Sequence, residues 1–368
     1  MMQPAQREAE AVTTHAPPPG TTHPGHPGRT AHEPGHAPTL HEVAALSGVS
    51  VATVSRVMND SPRVSPQARL AVQEAVAQLG YVPNRMARSL VTRRTDTIAL
   101  VLSEQDTQVF SDPFFASIVR GVSSNLVATE LNLVLLTARG AREQEKVARY
   151  VQQGHVDGVI LISLHGDDTL SAALDRAGVP LVLLGRPLDG RSVAYVDADN
   201  VGGSQAATGL LLDLGRRCIG TVTGPLDMVA GADRLTGYEA ALRAAGRDPR
   251  PELVEPGDFT EDGGHRAAEV LLRRVPDLDA VFVASDPMAA GALRALREAG
   301  RRVPEDVAVV GFDDAAVALV CDPPLTTVAQ PIDDMARRLT DLLRRRIDGD
   351  GVAEAQVCPT RLVRRASA

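Results

Sequence analysis

The sequence has no tryptophan, four tyrosines, six phenylalanines and three cysteines among 368 residues. Lys146 is the only lysine, so nearly all positive charge is arginine. No apolar run approaches the roughly 20 residues of a membrane-spanning helix. No basic start followed by an apolar stretch marks a secretory leader. A soluble, cytoplasmic protein that does not engage membranes is therefore expected. Cys218, Cys321 and Cys358 are odd in number and widely spaced, which argues against a disulfide framework and against a paired-cysteine metal site. Also missing are a GxGxxG turn after a strand, a GxxxxGK[ST] phosphate loop, a GxSxG elbow and an HExxH pair. His155, His165 and His265 each stand alone in the sequence, and His155, in QQGHVDG, reads as structural. The chain is thus not expected to be an enzyme, and no cofactor or metal is expected.

What is present is unevenly distributed. The whole chain carries a net charge of -8, yet residues 39–95 hold seven arginines against Glu42, Asp60 and Glu74. A short basic segment on an acidic body is the asymmetry of a nucleic-acid-binding module. Residues 1–38 are rich in Pro, Gly, Thr and His and poor in large apolar residues, a composition that cannot offset ordering entropy. They read as a disordered tail.

At Thr39 the pattern changes. Thr39 and Glu42 make a capping box, so a first helix begins there, with Leu40, Val43 and Ala44 on its apolar face. Gly48 supplies a tight turn, and Ser50 caps a second helix whose Val54 and Val57 point inward. Val51, Ala52, Thr53, Ser55 and Arg56 are left outside. Ser65-Pro66 opens a third helix, with Val72, Ala75, Val76 and Leu79 inward and Gly80 as the stop. Residues 39–83 thus form an all-α helix-turn-helix unit. Asn84 begins a short segment through Leu90 that is too polar and too short for a helix stable by itself, and residues 84–96 form a linker.

From 97 to 368 apolar runs alternate with helical stretches: Ile98–Leu102, Leu133–Leu136, Val156–Ile162, Leu181–Leu184, Ile219–Val222, Ala280–Ala284 and Val307–Val310. Continuous apolar strands separated by helices predict parallel α/β sheets covered on both faces. The length exceeds one comfortable core, so two doubly wound lobes are expected, with ligand in the crevice at the carboxyl ends of the strands.

Three strings in residues 39–90, VSVATVSRVMN, VSPQAR and LGYVPNRMARSL, closely resemble the LacI/GalR family of bacterial repressors. The resemblance continues through DPFF (Asp112–Phe115), VDGVILIS, GPLDMVAGADRLTGY, ASDPMAAGALRAL, VPEDVAVVGFDD and PPLTTVAQP to Arg365. It implies a periplasmic-binding-protein-like core and a homodimer that binds palindromic operator DNA. It also implies that Val51 and Ala52 read bases, that Thr53, Ser55, Arg56 and Asn59 contact bases and phosphates, and that Arg63 neutralises phosphate. Asn84, Arg88 and Leu90 correspond to the hinge helix, with Leu90 as its minor-groove wedge. In the core, the resemblance assigns Phe114, Phe115, Arg234, Phe259, Ser285, Asp286 and Asp313 to the effector. Met228 and Ala230 stand where purine-binding relatives carry polar residues, which favours a small carbohydrate. LVTRRTDTIALVLSE, HVDGVILISLH and the scarcity of lysine are most similar to the actinobacterial branch that responds to cellobiose or cello-oligosaccharides.

Overall fold

The computed structural model describes residues 38–58, 61–82, 94–104, 111–166, 168–351 and 353–368. The chain divides at Asn84–Arg85 into two compact units. Asn59, Asn84, Arg88 and Leu90 lie outside the described residues.

The first unit is three helices, α1 (Leu40–Ser47), α2 (Val51–Met58) and α3 (Pro66–Leu79). Their ends are fixed locally. Glu42 N–H donates to Thr39 Oγ1 (3.4 Å) while Thr39 N–H donates to Glu42 Oε2 (2.7 Å), completing the capping box. Gly48 takes the left-handed conformation at φ 66°, which a side chain would strain. Thr53 N–H donates to Ser50 Oγ (3.2 Å) and Ala68 N–H to Ser65 Oγ (3.3 Å). Val43, Ala44, Val54, Val57, Val72, Ala75 and Tyr81 form one small core. Val51 departs from expectation: it is half-buried and packs on this core, because it begins α2 one turn before Val54 and close to the same face.

The second unit has two parallel sheets. The first contains β1 (Thr97–Leu102), β2 (Asn132–Thr137), β3 (Gly158–Ile162), β4 (Leu181–Leu184), β5 (Tyr195–Ala198) and β11 (Ala355–Cys358), in the order β2-β1-β3-β4-β5-β11. The helices α4 (Pro113–Leu126), α5 (Gly140–Gln152), α6 (Leu170–Arg176) and α12 (Ile332–Ile347) belong to this lobe. The second sheet contains β6 (Ile219–Thr223), β7 (Val254–Pro256), β8 (Ala280–Val283) and β9 (Ala308–Val310), in the order β7-β6-β8-β9. Its helices are α7 (Asn200–Asp213), α8 (Val229–Ala244), α9 (Glu261–Arg274), α10 (Asp286–Glu298) and α11 (Ala316–Val320). A small antiparallel pair, β10 (Thr327–Ala329) with β12 (Arg361–Val363), flanks it through bridges Val310–Thr326 and Asp313–Ala329.

The cause is visible in burial. β3, β4, β6, β8 and β9 are buried along their whole length, as parallel strands covered by helices must be. β2, at the sheet edge, has only exposed and half-buried residues. The chain passes between lobes three times, after β5, after β10 and after β11. In each sheet the strand order reverses once, between β1 and β3 and between β6 and β8. That is where a doubly wound sheet opens a crevice.

Candidate effector site and DNA-facing helix

The residues that follow the carboxyl ends of these strands converge on one cleft, the place where ligands bind in doubly wound sheets. Glu104 follows β1, Ser163 follows β3, Gly185 and Arg186 follow β4, and Asp197 is the last residue but one of β5. From the second lobe come Met228 after β6, Ser285 after β8 and Asp313 after β9. Asn200 and Gln330 reach the cleft from two of the interlobe passages.

One wall is aromatic. Asp112 caps α4 by accepting from Phe114 N–H (2.9 Å), which sets Phe114 and Phe115 at the helix start, edge to face with centroids 5.7 Å apart. Phe259 closes the opposite side at φ 63°, its ring lying over the Gly224 backbone, where a Cβ would meet the ring at 2.1 Å. Gly224→Val should therefore displace Phe259 and lower effector affinity while leaving the headpiece intact. Calorimetric titration beside a thermal melt checks both halves of that expectation.

The floor is charged. Arg234 is 5% exposed. Its guanidinium donates to Asn200 Oδ1 (2.9 Å) and to the Ala284 carbonyl, lies 3.8 Å from the Phe312 centroid, and sits 3.4 Å from Asp313 Oδ1. Burial pulls its pKa down, opposed by Asp313. Asp313 also accepts from Gln330 Nε2 (2.7 Å), and burial pushes its carboxyl up to about 6 against the pull of Arg234. Asp197 is likewise pushed up to about 6 by burial, despite backbone donors from Arg186 and Ala198. Asp112 is raised for the same reason. Among the described residues five non-glycines hold positive φ, and three of them, Ser163, Phe259 and Asp313, line this cleft. Strained backbone gathers where a site must be held against its local preference.

Six of the seven core residues expected at the effector, Phe114, Phe115, Arg234, Phe259, Ser285 and Asp313, line the cleft. Asp286 does not. Its carboxylate accepts from Thr327 Oγ1 (2.6 Å) and Ala315 N–H (2.7 Å), and its burial raises its pKa well above the usual range. It ties α10 to β10 and to the segment after β9, a structural task. Missed in the sequence were Glu104, Asp112, Ser163, Arg186, Asp197, Asn200 and Gln330. Their signal was position: each lies at a strand end, a helix cap or an interlobe passage.

His165 is not isolated either. Its Nε2 is 3.0 Å from Glu104 Oε1 and its Nδ1 is 2.7 Å from Asp227 Oδ2, so a first-lobe imidazole bridges to the second lobe. The hydrogen bond to Glu104 leads in pushing its pKa up to about 9, with Asp227 adding to it against burial. The folded pKa exceeds the ordinary 6.5, so the bridge's stabilisation is complete below pH 6.5 and is lost as pH rises through about 9. The melting-temperature gap between wild type and His165→Gln should shrink over that window. A pH-independent gap would mean that the ring only fills space. A second such contact, Arg186 Nη2 to Asp233 Oδ1, also crosses the cleft. His265 likewise has company, with Nε2 2.8 Å from Glu298 and Glu269 nearby, a surface cluster at metal-ligand spacing. His155 stacks on Tyr150 at 4.6 Å.

In the first unit, Ala52 and Arg56 are exposed on α2, with Thr53 and Ser55 half-buried beside them and the buried Val54 and Val57 opposite. Thr53 Oγ1 bonds Ser50 Oγ at 2.9 Å. Arg63, in the turn before α3, is exposed. One helix thus presents a small, polar and cationic face.

Two family models match: the bacterial regulatory proteins of the lacI family over residues 39–84, and the periplasmic binding protein-like domain over 208–368. The HTH-type transcriptional regulator CelR of Thermobifida fusca is 54% identical over 315 residues, 85% of this chain and 93% of that protein. The chain belongs to the LacI family. Another member, the ribose operon repressor of Escherichia coli K12, is 35% identical over 84% of this chain and 93% of its own length. Among solved structures, a CelR–cellobiose complex matches with TM-score 0.73 and 51% identity, covering 90% of this chain and 100% of that one. The lac repressor dimer bound to operator and the anti-inducer ONPF matches with TM-score 0.80 and 29% identity over 90% and 99%. The LacI-family relatives are transcriptional regulators. Among the described residues no helix is long and apolar enough to cross a membrane.

Proposed function

We propose that this LacI-family protein is a cytoplasmic transcription repressor, not an enzyme. It binds palindromic operator DNA as a homodimer and is controlled by cellobiose or a short cello-oligosaccharide held in the cleft. The observation that carries the sugar reading is the pairing of three phenylalanine rings with a buried guanidinium and carboxylates in one cleft. Rings pack on the apolar faces of a pyranose, while charged groups bond its hydroxyls at roughly 1.5–3 kcal/mol each. Met228 and Ala230 keep the intervening wall free of the polar groups that would read a nucleobase. The likeness to CelR and to its cellobiose complex favours the disaccharide over other sugars.

The α2 face carries the DNA reading. Ala52 and Val51 are small and apolar and suit thymine methyls, while Arg56 suits guanine. Residues 39–83 are the DNA-binding domain, 84–96 the hinge and linker with Asn84, Arg88 and Leu90, and 97–368 the sensing and dimerising core. Effector binding repositions the hinge and weakens operator affinity. A differential affinity of about 100-fold suffices for a useful switch.

A thermal-shift screen of sugars and purines against the full chain tests the sugar reading. Cellobiose at about 100 times its Kd stabilises the core by roughly 2.7 kcal/mol and raises its melting temperature accordingly. A shift with purines and none with any sugar would overturn the reading of the cleft.

A further inference from the structure

The cleft has two compartments. Beyond the one already described lies a second, lined among others by Arg139, Gln144, Asp168 and Asp258. Among the described residues the two share a single lining residue, Glu104. Neighbours in sequence face opposite ways: Ser163 and Leu164 line the inner compartment, His165 and Gly166 the outer. Met228 lines the inner and Asp227 the outer. What stands between them is a continuous polar chain. Glu104 Oε1 accepts from Ser163 Oγ–H (2.5 Å) and from His165 Nε2–H (3.0 Å), and His165 Nδ1–H donates to Asp227 Oδ2 (2.7 Å). With both ring nitrogens donating, the imidazole is a cation between two carboxylates.

The compartments differ in chemistry. The inner has three phenylalanine rings. The outer has none among its described lining residues and is walled by charged and amide groups. A ring-clamped sugar fits the first, and a more solvated, hydroxyl-bonded unit fits the second. In the proposed function the inner compartment, with its rings, takes the disaccharide. A third unit linked to it has to pass the plane of the polar chain.

We propose that the outer compartment is a subsite for a further sugar unit of an oligosaccharide, and that the Glu104–His165–Asp227 bridge is the partition that sets which chain lengths the closed cleft accepts. This rests on the sugar reading above. A disaccharide leaves the bridge intact and gains from the lobe-to-lobe contact. A trisaccharide has to part His165 from Asp227 and forfeits that lobe-to-lobe contact. His165 is thus a length-specificity residue.

The test is calorimetric titration of cellobiose and cellotriose into the full-length protein, His165→Ala and Asp227→Asn. Asp227 is exposed, so its isosteric variant keeps the fold whatever becomes of His165→Ala. Either variant should raise cellotriose affinity relative to cellobiose by about tenfold over wild type. The same ratio in all three proteins overturns the partition. If neither sugar binds any of them while another disaccharide does, the cellobiose reading fails. The ratio for that disaccharide and its trisaccharide homologue then decides the partition by the same criterion.

Discussion

Asp313→Asn lowers effector affinity by about 10- to 100-fold, the loss of one charge-assisted hydrogen bond of roughly 1.5–3 kcal/mol, and leaves operator affinity at the wild-type value. The substitution keeps the shape of the side chain and an oxygen to accept from Gln330, so the strained backbone at φ 115° retains its anchor. What is lost is the charge opposite Arg234 and the carboxylate that would meet a sugar hydroxyl. In cells the variant is a repressor that no longer responds. Arg234→Ala has a larger and less selective effect. It takes the guanidinium donor from Asn200 Oδ1 and the Ala284 carbonyl, and leaves the buried Asp313 carboxylate with Gln330 but without the Arg234 charge. Removing one partner of a buried pair costs about 3–5 kcal/mol, so the core melts earlier and effector binding is abolished. Calorimetry for the effector, fluorescence anisotropy for the operator and a thermal melt separate these outcomes. An Asp313→Asn protein with wild-type effector affinity would remove Asp313 from the site.

Arg56→Ala lowers specific operator affinity by about 10- to 100-fold, because a bidentate guanine contact contributes roughly 1–3 kcal/mol of discrimination. Arg56 is exposed on α2, whose buried residues are Val54 and Val57, so the melting temperature stays put. Arg63→Ala, by contrast, weakens specific and non-specific DNA alike and reduces the salt slope by about one counterion. The comparison is an anisotropy titration against operator and scrambled duplex at several salt concentrations. If Arg56→Ala lowers both affinities equally, Arg56 contacts phosphate and the specificity of α2 lies with Val51, Ala52 and their neighbours.

Where local chemistry decides the structure, the sequence was readable. The capping box at Thr39 and Glu42, the Gly48 turn and the Ser65-Pro66 helix start are each complete within a few residues. Long, mostly apolar runs became β1, β3, β4, β6, β8 and β9 because a strand covered on both faces favours apolar residues on both, and the run Leu133–Leu136 became β2 at the sheet edge. Tyr195–Ala198, Val254–Pro256, Thr327–Ala329, Ala355–Cys358 and Arg361–Val363 were not foreseen. They are short, partly polar, and paired to segments far away in the chain. The effector cleft divides the same way. Phe115, Arg234 and Asp313 sit in recognisable strings. The Glu104–His165–Asp227 bridge joins residues 61 and 62 positions apart and exists only once two lobes are built. Asp286 differs from its neighbour Ser285 by one helical position. That rotation turns its carboxylate from the cleft to Thr327 and Ala315.

The central claim is that sugar in the cleft controls DNA at the headpiece. The direct measurement is anisotropy of a labelled palindromic operator bound by the full-length protein and titrated with cellobiose. Cellobiose should release the operator over the concentration range in which calorimetry records its binding to the free protein, and Asp313→Asn should hold the operator through that range. An operator complex that persists unchanged with cellobiose saturating the cleft would contradict the account.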